Sequence, residues 1–213
     1  MTKIILSLET EESLDIIPYL GKYIDGVKIN HLLWNELDFD VEEGKELFVD
    51  FKLWDTPNTV KTVVERIIKK GGTMTTISTF NNEKVFDELE QYKDDIKLLA
   101  VTYLTSWNRD EQYQICREMP DFMWRRHLSR VKGFYGVVCS AQDIGMLSGA
   151  DKSLKRVCPG ITYGNNNSGQ VRTTTPKEAQ DLGADYIVIG RAITESENPL
   201  ETLKQIRNSP ITQ

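Results

Sequence analysis

Histidine is nearly absent from this 213-residue chain, His31 and His127 being the only two. A three-histidine metal cage therefore has too few parts, and a Ser/His/Asp triad has little to draw on. Cysteine is almost as scarce. Cys116, Cys139 and Cys158 are odd in number and lack CxxC spacing, which argues against a disulfide framework or a zinc site and leaves them as small core hydrophobes. Positive charge is also in short supply: 26 Lys+Arg stand against 32 Asp+Glu, for a net charge of −6 and a pI near 5.1. A phosphate backbone or anionic bilayer is met by a basic surface, so neither nucleic acid nor membrane is an expected partner. No apolar run reaches the length of about 18 residues needed to span a bilayer. The opening MTKIILSLETEES turns acidic too early to hold a signal-peptide core, so a cytoplasmic location is expected. Chemistry in such a chain must rest on Lys, Asp, Glu and Arg.

What the chain does have is a repeating pattern. Short apolar, β-branched runs recur at Lys3–Leu8, Ile24–Ile29, Leu47–Phe51, Thr73–Ile77, Ile96–Val101, Phe134–Val138, Leu154–Val157 and Tyr186–Ile189. Several are continuously apolar, as strands covered on both faces of a parallel sheet are. Segments with helical features lie between them: Glu11–Lys22, Thr59–Lys70, Glu83–Tyr92, Arg109–Arg130, Ala141–Leu147, Pro176–Leu182 and Pro199–Arg207. Pro57, Pro176 and Pro199 stand near helix starts, while Gly71-Gly72 and Gly183 stand just past helix ends. No linker or low-complexity tract divides the chain. Eight strands alternating with helices predict an α/β fold, a single (β/α)₈ TIM barrel domain over residues 1–213. A doubly wound open sheet would carry a glycine-rich phosphate turn after an early strand, but the first turn reads Glu9-Thr10-Glu11-Glu12.

The most unusual segment runs from Phe48 to Thr59, FVDFKLWDTPNT. Asp50 and Lys52 are two apart on a strand, so both side chains leave one face of it, which in a barrel is the interior. A buried ion pair is costly unless further paired, so the two should lie at the open C-terminal rim, where barrel active sites are built. Asp55 falls on the loop just beyond. Lys28, at the end of the neighbouring strand, completes an alternating Lys-Asp-Lys-Asp array, and such clustered charges point to a functional site. After the last strand, Gly190-Arg191 offers close backbone approach and a bidentate cation for a phosphate. The Gly/Asn-rich stretch 158–172 has the length and composition of a loop that folds over a ligand.

These residues resemble orotidine 5′-phosphate decarboxylases. The family's Asp-x-Lys-x-x-Asp-Ile-Pro-x-Thr signature is matched by Asp50-Phe-Lys52-Leu-Trp-Asp55-Thr56-Pro57-Asn58-Thr59. Further matches are Val27-Lys28-Ile29, residues 100–106, residues 136–141, Pro159-Gly160-Ile161, Gln170-x-Arg172 with Thr175-Pro176, and Gly190-Arg191-Ala192-Ile193. The resemblance implies a (β/α)₈ barrel that dimerises, takes orotidine monophosphate as its small-molecule substrate, and releases CO₂ and uridine monophosphate without metal or organic cofactor. It implies that Lys52 is the proton donor, that Asp50 faces the departing carboxylate, and that Lys28 and Asp55 hold the array in register. It further implies that Asp55 and Thr59 reach across a homodimer into the neighbour's site. Glu9, Lys28, Thr59, Thr105, Pro159, Gln170, Gly190 and Arg191 are the implied substrate-binding residues.

The chain departs from the pattern in several places. Glu9 stands where the family has an Asp that holds a ribose hydroxyl. Thr162 stands where many bacterial members have a phosphate-binding Arg. Thr56 replaces an Ile, and Ser78-Thr79 replaces a segment that often ends in His. None of these removes a member of the charged array. Two other readings compete with decarboxylation of the nucleotide. One is a Mg²⁺-dependent sugar-phosphate decarboxylase or aldolase of the same superfamily, whose members typically carry an acidic residue at the place of Lys28. The other is a non-catalytic protein that binds pyrimidine nucleotides.

Overall fold

The computed structural model describes residues 2–34, 42–117, 120–131, 133–149, 153–164 and 172–208. Eight parallel strands close into a barrel in sequence order, the first pairing with the last. They are β1 (Lys3–Ser7), β2 (Gly26–Ile29), β3 (Glu46–Leu53), β4 (Met74–Ser78), β5 (Lys97–Val101), β6 (Gly136–Val138), β7 (Lys155–Cys158) and β8 (Tyr186–Ile189). Each coincides with one of the expected apolar runs. The α-helices are α1 (Ile17–Leu20), α2 (Pro57–Lys69), α3 (Glu83–Leu89), α4 (Arg109–Cys116), α5 (Pro120–Leu128), α6 (Pro176–Asp181), α7 (Arg191–Thr194) and α8 (Pro199–Asn208). Among the described residues no helix is long and apolar enough to cross a membrane.

Local chemistry sets the helix limits. α2 has Pro57 at its first turn and buries Val60, Val64 and Ile67, one stripe at helical spacing. It stops where Gly71 turns left-handed at φ 82° and the Gly72 N–H donates back to the Ile67 carbonyl at 2.9 Å. α4 and α6 open with reciprocal capping boxes, Asn108 with Glu111 and Thr175 with Glu178.

Two expected helices are broken. The 109–130 stretch is two helices, because Arg117 turns left-handed at φ 54° and Pro120 can only begin a new one. The 11–22 segment is a 3₁₀ helix over Glu11–Ile16, the single turn α1, and a second 3₁₀ turn over Gly21–Tyr23. Pro18 supplies no N–H to a continuous α ladder there. Residues Ala141–Gly149 are likewise 3₁₀.

Two separate cores result. The larger packs the outward faces of the strands against the helices, with Val49, Ile77, Ala100 and Ile189 meeting Val60, Val64, Val85 and Leu203. Cys139 and Cys158 belong to it as free, buried thiols, while the side chain of Cys116 lies outside the described residues. The smaller core plugs the barrel with Ile5, Phe48, Met74, Leu99, Val157, Tyr186 and Val188. β2 contributes no bulk to it, since a Cβ on Gly26 would lie 2.4 Å from the Glu46 carbonyl oxygen. Below the plug, the buried Glu46 carboxylate pairs with Lys97 and, at 3.9 Å, with Lys3, and accepts from Thr73 Oγ1 at 2.8 Å. The floor of the barrel is thereby closed, and its other end is left open for chemistry.

The close approach at Gly26 makes a concrete expectation. Gly26→Ala should lower stability by about 1–3 kcal/mol through overpacking, read as a lower denaturant midpoint with an unchanged slope.

Candidate active site

Directly above the plug the strands change character. Asp50 follows Phe48 by two residues on the same face of β3, and Lys28 leaves β2 beside it. Asp50 Oδ2 lies 2.9 Å from Lys52 Nζ and 3.5 Å from Lys28 Nζ, while Asp50 Oδ1 accepts a 2.8 Å hydrogen bond from Thr76 Oγ1. The side chains of Lys28 and Asp50 are 13% and 14% exposed, and that of Lys52 is 42% exposed. The lower pair is thus walled in while the Lys52 ammonium faces open space. Burial alone would push the Asp50 carboxyl up. The Lys28 and Lys52 ammoniums, with hydrogen bonds from Lys52 and Thr76, overcome that and hold it below the ordinary carboxylate range. The carboxylate is therefore ionised at neutral pH, flanked by two cations.

Lys52 pays for its position in backbone strain: its φ is +50°, in the left-handed region that non-glycine residues rarely occupy. The strain comes from β3 carrying more residues than its neighbour. Val49 pairs with Thr75 and Leu53 with Ile77, so three residues of β3 face Thr76 alone. The irregularity turns the lysine into the mouth of the barrel.

The charges open into a cavity of about 300 Å³ at the C-terminal rim. Its walls include Glu9 after β1, Thr105 after β5, Pro159 after β7, and Gly190 and Arg191 after β8, as well as Lys28, Asp50 and Lys52. Residues that the sequence scatters over 180 positions thus share one space. The Glu9 and Arg191 side of it continues into a smaller hollow of about 210 Å³ that also touches Thr10, Glu12 and Ser13. Thr162 lies outside the cavity lining, its N–H donating to the Thr174 carbonyl at 3.0 Å.

Two expected members stand apart. Asp55 and Thr59 are exposed and line neither space within this chain. The chain leaves β3 at Leu53, and the Asp55 carboxylate accepts the Thr56 N–H at 2.6 Å, which turns it toward the start of α2. Of the four-charge array, one chain assembles three members. Gln170 lies outside the described residues.

Two features escape sequence reasoning. Thr76 is one; a Thr75-Thr76 pair inside an otherwise apolar strand is the faint signal that announces it. The other is a buried polar chain. Trp124 Nε1 donates to the Tyr103 hydroxyl at 3.0 Å, that hydroxyl donates to Asp143 Oδ2 at 3.1 Å, and Asp143 Oδ1 pairs with Arg172. Tyr103 lines the cavity, so the chain ties its wall to the residues that follow β7. The pairing with Asp143 outweighs the effect of burial on Arg172 and raises its pKa further, so the guanidinium stays charged. The four residues are far apart in sequence, and no local pattern links them.

A closed eight-strand α/β barrel with paired lysine and aspartate side chains converging at its C-terminal rim defines a TIM-barrel enzyme. The chain belongs to the orotidine 5′-phosphate decarboxylase / HUMPS family, whose model matches residues 2–206. It is 35% identical to the orotidine 5′-phosphate decarboxylase of Wolbachia pipientis subsp. Culex pipiens, over 98% of this chain and 99% of that one. Identity to the Dictyoglomus thermophilum enzyme of the same name is 32%, covering 95% of this chain and 88% of its relative. Among solved structures, orotidine 5′-phosphate decarboxylase from Lactobacillus acidophilus superposes with a TM-score of 0.74 at 28% identity, covering 97% and 98% of the two chains.

The buried Asp143–Arg172 pair can be tested independently of chemistry. Asp143→Ala leaves the guanidinium without its partner and should cost about 3–5 kcal/mol, measured as a shift in the unfolding midpoint.

Proposed function

We propose that this protein decarboxylates orotidine 5′-monophosphate to uridine 5′-monophosphate, a step of pyrimidine nucleotide synthesis, with Lys52 as the proton donor. The observation that carries this reading is the Lys28–Asp50–Lys52 trio, paired and fixed at the mouth of a barrel whose relatives bear that name.

The chemistry asks for such a trio. Loss of CO₂ from C6 of the pyrimidine leaves an electron pair in the ring plane, where the ring π system cannot spread it. Fixed charges must then stabilise it, and they do so best when already in place before the reaction. The Lys52 ammonium is the exposed cation of the trio, suited to meet the developing carbanion and give it a proton. Asp50 beneath it is suited to face the departing carboxylate, and it holds Lys52 in orientation at 2.9 Å. Lys28 keeps Asp50 ionised from the other side. At the far wall, Gly190 and Arg191 suit the 5′-phosphate, and Glu9 suits a ribose hydroxyl. Thr105 and Pro159 fit beside the base. Binding the remote phosphate would supply energy for aligning the reacting end.

The catalytic unit in this reading is a homodimer of single-domain barrels, acting in the cytoplasm. Asp55 and Thr59, exposed and outside their own cavity, are suited to complete the partner's site. Trp54 supports this: it lies beside them at 71% exposure, its ring centroid 6.4 Å from that of Phe80, an apolar pair open to a second surface.

Purified protein given orotidine monophosphate in the presence of a chelator should consume the substrate's ultraviolet absorbance, and Lys52→Ala should abolish the change while keeping the wild-type circular dichroism. No absorbance change at micromolar protein would refute the activity. Sedimentation at assay concentration should give a dimer, and Trp54→Glu should shift it toward monomer with loss of turnover. Full activity from a monomer would refute the shared site.

A further inference from the structure

Between β3 and β4 the regular pairing lapses where the reactive lysine sits, and one hydroxyl takes over the space. Asp50, Phe51 and Lys52 together face only Thr76, because Val49 pairs with Thr75 and Leu53 with Ile77. The Lys52 N–H donates to Thr76 Oγ1 at 2.8 Å, and Thr76 Oγ1 donates to Asp50 Oδ1 at 2.8 Å. An amide can only donate, so the threonine oxygen must accept from Lys52 and spend its single hydrogen on Asp50. The hydroxyl is fully buried and does not line the cavity.

We infer that Thr76 is a positioning residue for the reaction, a single hydroxyl that fixes both the strained backbone of Lys52 and the carboxylate of Asp50. Its two bonds have different consequences. Accepting from Lys52 satisfies an amide at φ +50°, a conformation that persists only where its surroundings over-determine it. Donating to Asp50 favours the ionised carboxylate and sets the direction of its other oxygen, the one that meets both ammoniums. The charged groups facing Asp50 are Lys28 from β2 and Lys52 from its own strand, with Glu9 and Arg191 on the other walls of the cavity. Thr76 is the neutral contact among them, and it reaches Asp50 from β4, a strand that supplies no ammonium to the trio.

The rate test rests on the decarboxylase reading, but the titration test does not. Thr76→Val preserves shape and removes both bonds; Thr76→Ser preserves both. In Thr76→Val, kcat should fall about tenfold or more with KM changed less than about threefold, since one hydrogen bond to a charged group is worth roughly a factor of ten. The Asp50 carboxyl, followed by ¹³C NMR of labelled protein without substrate and assigned with Asp50→Asn, should titrate about one pH unit higher than in the wild type. Thr76→Ser should restore both. Should Thr76→Val not fold, Thr76→Ala carries the same expectations. Wild-type kinetics in the valine variant, an unmoved Asp50 titration, or a serine variant as impaired as valine would each overturn the assignment. A wild-type protein that binds but does not turn over orotidine monophosphate would refute the proposed activity instead, and the titration would still decide the role of Thr76.

Discussion

One carboxylate between two ammoniums, set directly on an apolar plug, is the constraint around which this molecule is arranged. Asp50 occupies a place where an unpaired charge would be expelled, and it stays because Lys28, Lys52 and Thr76 each offset part of its lost hydration. The arrangement has little slack. Phe48 fills the layer below, so the carboxylate cannot sink, and β2 and β4 supply its neighbours only because the barrel closes in strict strand order. The two ends of the barrel are built alike in this respect: each places one acidic group among lysines, Glu46 at the floor and Asp50 at the mouth. The floor is closed by packing and the mouth is not, which makes one a structural device and the other a site for chemistry.

The strain at Lys52 fits the same picture. A regular β3 would hold residue 52 in register with β4, facing inward like Asp50 but without the left-handed turn that Lys52 makes. The irregular pairing with β4 aims the ammonium into the cavity at the cost of one left-handed residue, and the surrounding hydrogen bonds hold that conformation in place. An acidic protein with two histidines can in this way gather the cations Lys28, Lys52 and Arg191 at one rim, interleaved with the carboxylates of Asp50 and Glu9.

Several features were legible from residues alone. Continuous apolar runs mark strands covered on both faces, and all eight were found with their ends within two residues of the expected places. The spacing of Asp50 and Lys52 places both on one face because side chains alternate along a strand. What failed at this level were continuity judgements. Pro18 and the left-handed Arg117 divide segments that composition paints as single helices, since helix propensity summed over a window hides one residue that cannot donate or one that reverses the chain.

The sequence by itself determined the strand count, the strand faces and the identity of the charged cavity residues, because these follow from periodicity and from motifs that lie within a few residues of one another. Only the tertiary structure decided which residues meet. It brought Glu9, Thr105, Pro159 and Arg191 to one cavity with the trio, turned Asp55 and Thr59 outward, and linked Trp124 to Tyr103, Asp143 and Arg172. It also gave Thr76 its place, through a strand register that no local pattern encodes. Register and crossover are settled by how whole strands pack around the plug, and a hydroxyl on the strand next to that of Lys52, 24 residues away in sequence, becomes its neighbour only once that packing is complete.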